Sequence, residues 1–248
     1  MRTDIFSHLA ELRWRVVLCG ACWLILTIAL IPFSGQVWAL IGEPMMNALP
    51  DGGRAVSVEV IGAFWVPLKT TALVSLLACA PVFCYHAWKF AYPGLFPGER
   101  KIAGLLAGAS LILFYSGVVF ANAVALPAVY ALMAKTAPEG VSVMTDISRH
   151  LDFVISATLA FGACFQIPVA MAIAGWAGIV TARQLRDGRG YATVAIFAVA
   201  AVATPPDILS QFMLAVPMMA LYEIGIVGAA WMRTHRDTIR LTATESAT

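Results

Sequence analysis

Charge is what this chain has least of. Only 12% of its 248 residues are Asp, Glu, Lys or Arg, about half the share in an ordinary soluble domain. Sixteen basic against fourteen acidic residues leave a net charge of +2, too small and too scattered for a nucleic-acid footprint. Catalytic and nucleotide signatures are missing as well: there is no P-loop, G-x-G-x-x-G, G-x-S-x-G or H-E-x-x-H. His8, His86, His150 and His235 lie far apart, without metal-ligand spacing. Repeats and low-complexity segments are absent. No metal and no cofactor is expected.

Cysteine is sparse, and its five copies, Cys19, Cys22, Cys79, Cys84 and Cys164, all lie in apolar segments. There a free thiol behaves as a small hydrophobe. Cys19 and Cys22 make a C-x-x-C, but no His or second pair accompanies it, which speaks against zinc or redox use. A cleavable signal peptide is not expected, because the first apolar run reaches Ile31 without a small-residue cleavage site.

Apolar residues are abundant, at 60%. A membrane-spanning helix needs about 20 of them in a row. Such stretches are predicted at about 16–31 (halted by Pro32), 67–89, 102–126, 153–177, 191–204 and 208–230. Together they make one all-α, polytopic membrane domain over residues 1–248, with 241–248 read as a disordered tail. The segments Pro44–Pro50 and Pro127–Met144 mix apolar residues with Pro and Gly, which predicts short helices in the outward loops. The fifth span is odd. Its fourteen or so residues reach only about 21 Å at 1.5 Å each, short of the hydrocarbon thickness.

Six spans also sort the charges. Arg2, Arg13 and Arg15 fall on one side, with Lys89, Arg100 and Lys101, then Arg183, Arg186 and Arg189, then Arg233, Arg236 and Arg240. That is twelve of the sixteen basic residues on one side. The positive-inside rule then makes both termini cytoplasmic.

The informative polar residues lie at the membrane boundaries. His8-Leu-Ala-Glu11-Leu-Arg13 precedes the first span, and Phe90-Ala-Tyr-Pro93-Gly-Leu95-Phe-Pro97-Gly-Glu99-Arg100 forms the next inner loop. Thr204-Pro-Pro-Asp207-Ile-Leu-Ser210-Gln211 joins the last two spans on the outer face. Gln166 and Glu223 lie within spans, where polar groups are costly. Each also has a bland reading. Glu11 and Arg15 stand at i,i+4 and make a plain helix-surface pair, Glu99 has Arg100 and Lys101 beside it, and Glu223 can hydrogen-bond a neighbouring helix.

Taken together, these strings resemble the TatC family, the multispanning receptor of the twin-arginine translocation system. Thr136-Ala-Pro-Glu-Gly140 and Phe161-Gly162…Pro168-Val169 add to the likeness, which runs from about His8 to Gly228 with the motifs in order. One departure is Gln166, where many members carry Glu.

The resemblance implies a concave bundle of six helices that recognises paired arginines of a signal peptide and moves folded cargo without ATP. It assigns signal-peptide binding to Glu11, Arg13, Phe90 and Glu99. A guanidinium is a planar fork of donors that a carboxylate accepts bidentately, and an aromatic ring covers its stem. The implied partners are single-span TatA- and TatB-type proteins, with further copies of the chain in the translocase. Gln166, Thr204 and Gln211 are the expected contacts to partner helices, and Asp207 is expected to fix the outer turn and touch a neighbouring subunit. The implied place is the bacterial inner membrane. A small secondary transporter or channel is the competing class, but the spans lack the repeat symmetry it would show. A membrane enzyme is weakened by the missing catalytic motifs.

Overall fold

The computed structural model describes residues 2–48, 55–56, 62–91, 100–136, 145–203 and 208–245. Almost all of these are helical: α1 (Arg2–Leu30), α2 (Ser34–Ala48), α3 (Gly62–Ala78), α4 (Ala80–Ala91), α5 (Arg100–Phe120), α6 (Leu126–Thr136), α7 (Ile147–Cys164), α8 (Ile167–Ala177), α9 (Ala182–Asp187), α10 (Arg189–Ala203) and α11 (Ile208–Glu245). Two residues, Ala55–Val56 (β1), pair in parallel with Thr145–Asp146 (β2).

Among the described residues, four helical stretches are long and apolar enough to cross a membrane: Ala10–Ile41, Gly104–Ala131, Ile147–Ala177 and Gln211–Thr234. A fifth is the pair Phe64–Ala78 and Ala80–Phe90, bent by 45°. Arg189–Val202 is apolar but shorter, and α10 opens at Arg189, two residues before the predicted start of the fifth span.

The prolines behave differently from the expectation that they end helices. Pro32 does not stop the first run. It sits in a 3-10 turn, Ile31–Phe33, that hands the chain directly to α2. Proline suits the opening of a helix, where its missing N–H is not needed. Before Pro127 the ladder widens into a π-turn, Ala121–Ala125. Such a turn accommodates a ring that would otherwise clash with the carbonyl four residues back. Of the segments expected to hold short helices, Pro44–Ala48 lies in α2 and Pro127–Thr136 in α6; their remaining residues lie outside the described ones. A further correction concerns the tail: α11 continues to Glu245 instead of giving way to disorder at 241. Adding residues to an existing helix avoids the nucleation cost, and Leu241, Ala243 and Glu245 are good helix formers.

The chain divides into two compact units, residues 1–111 with 134–155, and residues 112–133 with 156–248. In the first, α1 lies antiparallel to α3 and α4. The Trp23 indole N–H donates to the Ala72 carbonyl at 3.0 Å. Thr70, Thr71 and Ser75 are fully buried on α3, and each hydroxyl donates to the carbonyl one turn back at 2.8 Å. Small hydroxyl residues satisfied within their own helix let neighbours come close without stranding a polar group. Lys69 Nζ and an Asp152 carboxylate oxygen, 2.7 Å apart, tie α3 to α7.

In the second unit α8 packs along α11, and α10 folds back on α11 as an antiparallel hairpin. Gly178, at φ 75°, ends α8: its N–H bonds the Gly175 carbonyl, and that of Ile179 bonds the Ala174 carbonyl. This is the closure that glycine favours just past a helix end. Thr181 and Gln184 then cap α9 reciprocally. At Gly175 the backbones of α8 and α11 come close together. A β-carbon there would lie 2.7 Å from the Ala229 carbonyl oxygen and 2.9 Å from its Cα. Backbone cannot yield as a flexible side chain can. Gly175→Val should therefore part the two helices and cost about 1–3 kcal/mol, the usual penalty of overpacking. Thermal unfolding in detergent checks this against Gly20→Ala, where nothing lies within 4 Å of the new carbon. Equal midpoints for the two variants would contradict the close contact.

Candidate functional site

Of the expected signal-binding residues, Glu11 and Arg13 lie on the N-terminal part of α1 and Phe90 near the end of α4. Arg15 links these helices. One of its terminal nitrogens pairs with the Glu11 carboxylate one turn earlier, and the other donates to the His86 carbonyl of α4 at 3.3 Å. The Arg15 side chain is only 12% exposed, whereas Glu11 is 41% exposed. The cation is thus enclosed and the carboxylate can still be reached from outside. Arg15 Nε and His86 Nδ1 are buried without a hydrogen-bond partner, so unused bonding capacity lies beside Glu11.

Phe90, half-buried, closes α4 one residue after Lys89, whose ammonium stands 5.6 Å from the Tyr85 ring centre. That distance is within reach of a cation–π contact. Arg13 is exposed on α1, two residues from both Glu11 and Arg15 and therefore turned away from their shared face. The structure accordingly brings Glu11 and Arg15 together with α4. Glu99 lies outside the described residues.

The assembly residues are scattered. Gln166 is half-buried in the short break between α7 and α8, directly before Ile167 and Pro168. The break is a tightened turn in which the Gln166 N–H bonds the Ala163 carbonyl at 3.0 Å. Gln211 is half-buried on α11, and its amide nitrogen donates to the Phe197 carbonyl of α10 at 2.9 Å. Part of the capacity expected for a partner helix is thus used within the chain. Thr204 and Asp207 lie outside the described residues.

Two polar links complete the α9–α11 region. Arg189 at the start of α10 pairs with Glu223 of α11 at 2.6 Å, both about half-exposed. The Tyr222 hydroxyl donates to the Leu185 carbonyl of α9 at 2.9 Å. Glu223 drew notice in the sequence without a partner. A signal was available: Arg189 stands fifteen residues before Thr204 and Glu223 sixteen after Asp207. Equal rise along two antiparallel helices brings such positions level. Among the described residues no three His, Cys, Asp or Glu side chains converge on a point that could hold a metal.

Comparison with known proteins agrees with the resemblance read from the motifs. The family model described as Sec-independent protein translocase protein (TatC) matches residues 7–217. The TatC of Azotobacter chroococcum is 41% identical over 94% of this chain and 91% of its own length. That of Haemophilus influenzae is 37% identical over the same shares, and that of Escherichia coli K12 is 39% identical over 90% and 86%. The crystal structure of a twin-arginine translocase receptor, TatC, superposes with a TM-score of 0.83 at 25% identity, covering 91% of this chain and 99% of the other. With that family description matched over most of its length, and its helices long and apolar enough for several membrane crossings, the chain belongs to the TatC family of multi-pass protein translocase components, a transport family and not an enzyme family.

Proposed function

We propose that this chain is the receptor subunit of a twin-arginine translocase. It binds the paired arginines of a signal peptide at its cytoplasmic face, with Glu11, Arg13, Phe90 and Glu99 as the contact residues. With single-span TatA- and TatB-type partners, and in more than one copy, it moves folded proteins across the bacterial inner membrane. Six spans, with the bent α3–α4 pair counted as one and the short α10 as another, put both termini and the basic loops in the cytoplasm.

The observation that carries this reading is the reachable Glu11 carboxylate held by an enclosed Arg15 against α4. An acid already fixed in place loses little freedom when a second guanidinium approaches, and charge-assisted pairs are the strong ones. Arg13, exposed beside it, repels cations that cannot engage the carboxylates in a bidentate way. Phe90 offers an apolar face for an arginine stem. Thr204, Asp207, Gln211 and Gln166 are the proposed contacts for partner helices and neighbouring subunits.

Capture by an immobilised signal peptide tests the reading. The solubilised complex should be retained by a twin-arginine peptide and much less by its twin-lysine counterpart, because an ammonium is a point charge without the planar fork. Equal retention by the two peptides would overturn the assignment.

A further inference from the structure

Pairs of contacts zip α1 to α3 and α4: Arg15 to His86, Cys22 to Cys79 and Trp23 to Ala72. The middle pair is chemically unlike the others. The sulfurs of Cys22 and Cys79 are 3.7 Å apart, in contact. Cys79 is 2% exposed and sits at the 45° bend between α3 and α4. Its own N–H still bonds the Ser75 carbonyl and its carbonyl still accepts from the Phe83 N–H, both at 3.0 Å. The bend is therefore a hydrogen-bonded one, and its sulfur is held against α1. All five cysteines are free thiols. The pairing runs between helices, across 57 positions of sequence, and not along the local Cys19-x-x-Cys22 that the spacing alone suggests.

We propose that Cys22 and Cys79 form a disulfide within the membrane, which staples α1 to the bend between α3 and α4. The sulfurs need to close from 3.7 Å to about 2.05 Å. Exchange with a water-soluble disulfide requires a thiolate and open access, and an apolar span provides neither. The oxidant that fits is a lipid-soluble quinone. Two S–H bonds break and one S–S bond forms, while two electrons and two protons pass to the quinone and leave it as the hydroquinone.

The test uses the full chain, reduced and placed in lipid nanodiscs, then exposed to decylubiquinone and mapped by mass spectrometry without reduction. The peptides of Cys22 and Cys79 should appear linked, the intact mass should fall by two hydrogens, and dithiothreitol should restore it once the chain is unfolded. Cys22→Ser should abolish the link and Cys19→Ala should keep it. Should Cys22→Ser fail to fold, Cys79→Ala tests the same bond from its other end. Free thiols at both positions after quinone treatment, or a link from Cys22 to Cys19, would overturn the proposal.

Discussion

Replacing Glu99 with alanine is expected to abolish twin-arginine binding, and replacing Glu11 is expected only to weaken it. Each carboxylate can accept one guanidinium fork. Losing a charged hydrogen-bond partner costs about 1.5–3 kcal/mol, roughly a ten- to hundredfold loss in affinity. Glu11 already holds a cation. Glu11 is paired with Arg15 in the resting protein, so an arriving arginine shares that oxygen pair with an existing cation and gains less. Removing Glu11 also releases Arg15, whose other terminal nitrogen is bound to the His86 carbonyl, so part of the loss would come from a loosened α1–α4 corner. Affinities of the solubilised protein for a labelled signal peptide decide the matter. Wild-type binding by a folded, inserted Glu99→Ala protein would remove Glu99 from the site.

The second large effect concerns assembly. Gln166→Leu should reduce export of a folded twin-arginine reporter from cells while leaving signal-peptide binding intact, and Gln166→Glu should preserve both. The side chain lies half-buried at the break between α7 and α8, inside a stretch long and apolar enough to cross the membrane. A carboxylic acid in such surroundings keeps its proton, and a protonated Glu donates and accepts much as Gln does. Leucine offers neither. Full export with leucine would reduce the position to packing. Failure with glutamate would show that a neutral amide is required.

The companion change, Thr204→Val with Gln211→Leu, should lower disulfide crosslinking to a TatA- or TatB-type helix. Interhelical hydrogen bonds in membranes are worth only about 0.6–2 kcal/mol. Gln211 also ties α11 to α10 through the Phe197 carbonyl, so the double variant is to be compared with Gln211→Leu alone. Undiminished crosslinking in the double variant would remove both residues from the partner surface.

The sequence by itself determined the class of molecule. Long charge-free runs leave no alternative to a polytopic helical membrane protein, because a chain in hydrocarbon must satisfy its backbone internally. The motifs around Glu11, Phe90 and Gln211 were legible as strings, since residue type and order survive without coordinates. The shortness of the fifth apolar run was legible too, from the few residues between Tyr191 and Thr204.

The tertiary structure decided the rest. Proline was read as a stop at Pro32, yet the helical run continues there through a 3-10 turn, as the run before Pro127 does through a π turn. In water an interrupted helix can end and be solvated, whereas in a bilayer the same backbone groups must find partners in the next turn. Which polar groups meet was likewise hidden. Arg15 reaches the His86 carbonyl, Lys69 reaches Asp152, Glu223 reaches Arg189, and Cys22 touches Cys79 instead of its neighbour in the motif. Periodicity tells which face of a helix a residue occupies, but the partner depends on the depth at which a second helix crosses it. That depth follows from packing of the whole chain, such as the close approach of α8 to α11 at Gly175.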